Sequence, residues 1–355
     1  MNAPVLAAKD GFSGAPLSDA GEWDAYVAAH PEATPFHSRA WCEAITSATG
    51  HRCHLVTARD ANGALTGILP LHHIRSPLFG QALVGSGFAV GGGMLADDHA
   101  VAATLAQGAA AMAKSLGVPS VELRGGLLPE GEGWAREEGV YAGLARDLAA
   151  EDDAELLAVP PKQRAEVRKV LESGLTVTTG SDAAERRDHY RIYATSVRNL
   201  GTPVFPKALF DAVLDAFGDK ADILTVRGGG RPVASVLSLT WRGVVMPYWG
   251  GGTADARRLR ANELMYFALM RRARERGCTR FDFGRSKVGT GPFAYKKNWG
   301  FEPQPLVYAR WLAPGETPRD TNPNSARYRL QVDLWKKLPL WAANRIGPLI
   351  ARGLG

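Results

Sequence analysis

The feature that most constrains the fold is an internal repeat. In the first half, residues 54–74 read as a hairpin built on an Asn62-Gly63 turn, the strongest two-residue hairpin signal. In the second half, residues 223–227, a turn at 228–232 and residues 233–241 predict a comparable hairpin, and residues 244–249 a third strand. Glycine runs follow at 91–93 and 250–252. Helices are predicted next at 99–116 and 263–276, closed by Gly117 and Gly277, a residue type suited to the left-handed C′ position. Short strands come after them at 120–124 and 280–284. Gly117 and Gly277 are 160 residues apart, as are Ser120 and Arg280. Landmarks recurring in order at one offset predict two copies of a single α/β unit. Residues 148–159 are then the connection, and a helix over 161–173 opens the second copy.

Composition narrows the class. The chain has 355 residues, 45% hydrophobic and 22% charged, as in a packed globular protein and unlike a disordered one. No run of about 18 apolar residues occurs, so no membrane-spanning helix is expected. The first ten residues lack the basic start and apolar stretch of a secretion signal, and a cytoplasmic location is expected. The three cysteines, at 42, 53 and 278, are too scattered for a disulfide framework and are expected to be reduced and buried. Eight histidines form no HExxH or comparable ligand set, so no metal site is expected.

The net charge of +6 is unevenly placed. Residues 256–297 carry twelve Lys/Arg against three acids, and residues 319–355 carry seven against two. Such segments imply an anionic partner or a solvated face. Arg271, Arg272, Arg274 and Arg276 end a helix whose dipole favours cations there, which is a structural role.

The order helix, antiparallel meander, glycine-rich turn, helix, strand, helix, strand resembles the GNAT acyltransferase fold, and two tandem copies resemble the Fem-type (FemAB) peptidyltransferases. The words Arg-Phe-Asp-Phe-Gly-Arg-Ser-Lys-Val-Gly-Thr-Gly at 280–291 and Phe-Ala-Tyr-Lys-Lys-Asn-Trp-Gly-Phe at 293–301 carry most of the likeness. With Asn-Leu-Gly-Thr-Pro at 199–203 and Trp-Lys-Lys-Leu-Pro at 335–339, they resemble the FemAB-related branch associated with exosortase systems. The resemblance implies an α/β (α+β) fold: an extension at 1–22, GNAT-like units at 23–150 and 151–313 with mixed, mainly antiparallel sheets, and a basic amphipathic helical tail at 314–355. The first unit is expected to be degenerate and to serve as scaffold or acceptor site.

Catalysis is assigned to the second unit. It has Lys296-Lys-Asn-Trp-Gly300 where the first has Trp134-Ala-Arg-Glu-Glu-Gly139, and paired glutamates would repel an anionic carrier. Lys287 and Lys297 are candidate catalytic cations. Arg285, Lys296, Asn262 and the backbone at Gly289 and Gly291 are candidate anion binders for the donor. Asp282 is the candidate base: a carboxylate flanked by Phe281 and Phe283 has a raised pKa. Its alternative role is an ion-pair partner. Asn262 also suits a helix N-cap. The Arg-Arg-Leu-Arg-Ala-Asn word at 257–262 lacks the glycines of the GNAT pyrophosphate turn. Arg164 and Arg168, four apart on one face, are candidate acceptor contacts, or else pair with Glu166 or Asp153. Tyr248 and Trp249 are a candidate cleft edge or core.

The reading that follows is an N-acyltransferase acting by direct attack of a primary amine, since no Ser-His-Asp or Cys-His set appears. No tightly bound cofactor is expected; the co-substrate is an acyl-CoA or an aminoacyl-tRNA, with tRNA then the donor carrier. The acceptor is a small-molecule or lipid-linked amine: peptidoglycan-like, an exopolysaccharide intermediate or a long-chain amino lipid. The competing readings are a non-catalytic scaffold at the membrane and an RNA-binding protein without a recognisable module; no DNA partner is expected. In the tail, Leu334, Leu338 and Trp341 recur at helical spacing beside Lys336, Lys337 and Arg345, with Pro339 and Pro348 expected to kink or divide the segment. Attachment of residues 327–352 to an anionic membrane surface on the cytoplasmic side is expected, against packing of that face on the second unit.

Overall fold

The computed structural model describes residues 5–9, 20–129, 131, 133–319 and 329–355. In chain order the elements begin with β1 (Val5–Lys9), α1 (Ala20–Ala29), α2 (Arg39–Thr49), β2 (Cys53–Arg59), β3 (Leu65–Ser76), β4 (Gly80–Gly85) and β5 (Leu95–Ala96). Next come α3 (His99–Leu116), β6 (Ser120–Arg124), β7 (Trp134–Asp147), α4 (Asp152–Ala158), α5 (Pro161–Leu171), β8 (Thr176–Gly180), α6 (Ala183–Leu200) and α7 (Lys207–Phe217). The meander β9 (Ala221–Gly228), β10 (Arg231–Trp241) and β11 (Val244–Gly252) follows, then α8 (Ala254–Leu259), α9 (Ala261–Glu275), β12 (Arg280–Lys287) and α10 (Gly291–Asn298). The chain closes with β13 (Pro303–Leu312), α11 (Arg329–Lys337) and α12 (Leu340–Ala351).

Two compact units divide the chain, and both are discontinuous. The first takes Met1–Glu138, Leu306–Asn322 and Leu349–Gly355; the second takes Gly139–Pro305 and Pro323–Pro348. The reason lies in the strand pairing. Tyr308–Leu312 of β13 pair antiparallel with β6 in the first unit. Within the second unit, Tyr141–Asp147 of β7 pair antiparallel with β12. Each copy thus gives up its last strand to the other copy's sheet.

In the first unit the strands run β1-β2-β3-β4-β6-β13, with β5 on β3. The segment expected as an N-terminal extension therefore contributes β1, paired with β2. Asn62 and Gly63 lie in a five-residue loop rather than a two-residue turn. Asp60 Oδ1 accepts from the backbone N–H groups of Asn62 and Ala64, both at 2.9 Å, and Gly63 takes φ +87°. Helix α3 has the expected bounds, with Gly117 at φ +64° closing it. Leu105, Ala109, Val121, Leu123 and Trp311 meet in this unit's core.

The second unit repeats the plan, in the order β8-β9-β10-β11-β12-β7. Gly229 (φ +56°) and Gly230 (φ +76°) make the β9–β10 turn, the two positive values that match a tight turn to strand twist. The repeat is visible in the register. Leu83↔Val121 and Val84↔Glu122 are the parallel β4–β6 pairs; Val244↔Arg280 and Val245↔Phe281 are the parallel β11–β12 pairs. Residues 148–159, expected as a connection, contain α4; Glu155 on it is fully buried and accepts from Arg146 and from Ala149 N–H at 2.8 Å. Phe267, Met270, Phe281, Phe283, Trp299 and Phe301 meet in the second core.

Two expectations are corrected. Trp134–Glu138 are strand, not the counterpart of α10, and among the described residues no helix separates β6 from β7. The nine residues 125–133 between these two strands are too few for a crossover helix. Pro339 separates α11 from α12 as expected, but Pro348 does not divide the segment: α12 continues past it to Ala351. Among the described residues no helix is long and apolar enough to cross a membrane.

Candidate active site in the second unit

The β11–β12 pairing stops at Phe281, although β11 runs on to Gly252 and β12 to Lys287. Parallel strands that part in this way open a notch between their C-terminal ends. Bulges lie on both strands beside it. On β11, Trp249 pairs with Leu237 and Pro247 with Ser238, so Tyr248 is the extra residue. On β12 the register against β7 shifts between Asp282 and Arg285, with Gly284 at φ +67°.

Lys296, on α10, reaches back to this second bulge. Its ammonium donates to the carbonyls of Phe283 at 2.6 Å and Arg285 at 3.0 Å, and lies 5.7 Å from the Phe283 ring centroid. Burial pushes its pKa down to about 8; the Asp282 charge opposes that shift and Arg285 adds to it. Burial raises the Asp282 carboxyl, against the Gly284 N–H that donates to it at 2.7 Å and the charges of Lys296 and Arg280. Phe281 and Phe283 are buried on alternate positions around it, as strand periodicity requires. A carboxylate and an ammonium with opposed, burial-driven shifts are the pattern of an acid–base pair.

The other candidates fall at varying places. Arg285 lies over the Tyr141 ring, 4.8 Å from its centroid. Lys287 is half-buried at the end of β12, where its carbonyl accepts from Thr290 Oγ1 at 2.7 Å; Gly289 (φ +78°) turns the chain and Gly291 opens α10. Lys297 is exposed, 5.8 Å from the Phe293 ring centroid. Trp249 is buried 4.8 Å from the Phe210 ring centroid, while Tyr248 is half-buried beside it.

Asn262 is not the cap of α9: the helix starts at Ala261, after Arg260 at φ +56°. Its Oδ1 stands 2.9 Å from where a Cβ on Gly252 would be, so it seats the helix start against the end of β11. A Cβ on Gly251 would lie 2.5 Å from Ser196 Cβ, so the glycine run serves close packing. The glycine-poor word at 257–262 folds in part as α8, and Arg260 bonds to Glu166. Arg164 donates to the carbonyls of Leu157 (3.0 Å) and Val159 (3.1 Å) and ties α5 to the end of α4, whereas Arg168 is exposed.

Three residues near the notch were not singled out in the sequence. Tyr295 and Trp299, four apart on α10, pack on Tyr266, whose ring lies against Phe283. Tyr295 Oη and Trp299 Nε1 are buried, and burial with the Glu263 charge holds the Tyr295 phenol well above its usual range. The i, i+4 spacing of Tyr295 and Trp299 was the available signal. The four arginines of α9 are accounted for within the unit: Arg271 and Arg274 pair with Asp152, Arg272 and Arg276 with Asp222.

In the first unit, donor atoms of buried Cys42, Cys53 and His72 lie within 4.8 Å of one another. His72 Nδ1 accepts from Gly87 N–H at 2.9 Å, so the neutral ring carries its proton on Nε2. Nε2 would have to lose that proton to ligate a metal, which makes the group a poor fit for one.

Residues 162–297 match the Acetyltransferase (GNAT) domain family. Among solved structures the chain is similar to FemX, at TM-score 0.65 and 16% identity over 83% of this chain and 96% of that one. It is also similar to a tandem GNAT protein from the clavulanic acid biosynthesis pathway (TM-score 0.54, 14% identity, 88% and 100% covered). L-PGS from Bacillus licheniformis is a third (TM-score 0.52, 13% identity, 93% and 100% covered). A comparison with curated protein sequences finds no match. Within the second unit, residues 162–297 thus form a segment of the GNAT acetyltransferase type. The chain that holds it has the FemAB-like fold of tandem GNAT-like units.

Proposed function

We propose that the chain joins a carrier-activated acyl or aminoacyl group to a primary amine of a cell-envelope or membrane-lipid precursor. The observation that carries this reading is Lys296, a half-buried cation held by the Phe283 and Arg285 carbonyls at the β12 bulge with a pKa of about 8. The amine nitrogen attacks the acyl carbonyl carbon; the new C–N bond forms and the bond to the carrier's sulfur or oxygen breaks. Lys296 offsets the negative charge that develops on the carbonyl oxygen or leaving group and, near neutral pH, can give that group a proton. Asp282, with its raised pKa, takes the proton that leaves the amine, directly or through water.

Both donor classes, an acyl-CoA and an aminoacyl-tRNA, present an anionic carrier. Half-buried Lys287 and exposed Lys297 supply cations beside the notch for either one. The likeness to FemX and L-PGS supports an envelope or lipid-linked acceptor. The test is transfer by the purified full-length protein. Extract from cells lacking the gene is offered with an acyl-CoA series in one arm and charged tRNA in another. An amine gaining one acyl mass in either arm supports the reading and identifies the donor; no mass gain in any arm overturns it.

A further inference from the structure

Helices α11 and α12 present an apolar stripe to the outside that nothing else in the function uses. On α12, Ala343 and Gly347 are buried, and a Cβ on Gly347 would lie 3.0 Å from the backbone nitrogen of Val204. On α11, Val332 Cγ1 lies 2.5 Å from the Cβ position of Gly201, and the Lys336 carbonyl accepts from Arg198 at 3.2 Å. These contacts define the inner face. The opposite side carries Leu334, 59% exposed, and Trp341, 74% exposed. Trp341, Arg345 and Leu349 recur at i, i+4 and i+8 along one line of α12, and Leu349 is 65% exposed. Lys337 and Arg345 are exposed beside them, while Lys336 lies over Gly201 on the inner side and pairs at 3.7 Å with Asp333, the one acid among residues 329–352.

A tryptophan left almost wholly in water, continued by leucines and flanked by cations, matches a surface that is apolar at its centre and anionic at its rim. We infer that this face docks on an anionic lipid surface. Trp341, Leu334 and Leu349 enter the headgroup boundary, and Lys337 and Arg345 meet lipid phosphates. The charge pattern selects this occupant over a second copy of the chain, whose matching face would bring the same cations together. The inference is independent of the acyl-transfer reading, since it concerns residues outside the notch.

The experiment is flotation of the full-length protein with vesicles of phosphatidylcholine alone and of phosphatidylcholine with phosphatidylglycerol, at low and high salt. Binding is expected only to the anionic vesicles, weakened by salt. It should fall about tenfold in Leu334→Ala/Trp341→Ala and about tenfold in Lys337→Glu/Arg345→Glu. All substituted side chains are exposed, and circular dichroism of each variant checks the fold. Equal binding by wild type and both variants, or no binding to anionic vesicles at low salt, overturns the inference. A dimer that dissociates in Trp341→Ala without vesicle binding overturns it in favour of self-association.

Discussion

Lys296 on α10 and Phe283 on β12 are joined twice, by a 2.6 Å hydrogen bond from ammonium to carbonyl and by the ring beneath the charge. This pins a helix side chain to a strand bulge and holds a cation where burial works against it. Lys296→Met keeps the length and apolar stem but removes the charge. Turnover is expected to fall at least a hundredfold, about 2.7 kcal/mol, with the circular dichroism spectrum unchanged. Lys287→Ala and Lys297→Ala are each expected to cost about tenfold, ~1.4 kcal/mol, through the donor's KM. Steady-state kinetics of the three variants separates the roles.

The pH dependence follows from the opposed shifts. Lys296 must be protonated to act as acid, so the rate should fall as pH rises through about 8. Asp282 must be ionised to accept a proton, so the rate should also fall on the acid side, at a pH above the ordinary carboxylate range because burial raises this group. A kcat/KM profile of wild type against Asp282→Asn checks both limbs. The acid limb should vanish in the variant, and an unchanged profile would make Asp282 a structural residue.

The arginines of α9 should behave as structure. Asp222 accepts from Arg272 Nε at 2.8 Å, Arg276 at 3.2 Å and Ser238 Oγ at 3.1 Å, and is itself buried. Asp222→Asn leaves two guanidinium groups short of their counter-charge. Denaturant unfolding should show a loss on the order of 3 kcal/mol. Arg271→Ala, whose pair with Asp152 is more exposed on both sides, should cost less than about 1 kcal/mol.

Gly251 tests the packing account of the glycine run. A Cβ there would lie 2.5 Å from Ser196 Cβ on α6, so Gly251→Ala should lower stability by about 1–3 kcal/mol. Adding Ser196→Gly removes the clashing atoms and should recover part of the loss, less about 1 kcal/mol for glycine inside a helix. Thermal melts of the single and double variants decide it.

The repeat was legible because it lies in local signals: a glycine after each long helix, alternating strands, and a two-glycine turn at 229–230. The exchange of β7 and β13 was not, since pairing between residues such as Phe281 and Arg146 leaves no mark on either segment alone. For the same reason Trp134–Glu138 read as a helix counterpart, and the partners of Arg272 and Arg276, some 50 residues away in sequence, stayed out of view. At the site, Asp282 among phenylalanines was legible from alternation. Lys296 reads from the sequence as an anion binder, with Lys287 and Lys297 as the catalytic cations; its return to the Phe283 and Arg285 carbonyls leaves no mark on the α10 segment alone. The convergence of Cys42, Cys53 and His72 needed the β2–β3 register, in which Cys53 pairs with His72.

The central claim is that the second unit forms an amide bond through Lys296. Its most direct test is mass spectrometry of lipid and envelope extracts from cells lacking the gene, complemented with wild type or with Lys296→Met at matched protein levels. One amine should accumulate in the Lys296→Met cells, and its N-acylated form, heavier by a single acyl group, should return only with wild type. Equal amine and amide pools in the two complemented strains would contradict it.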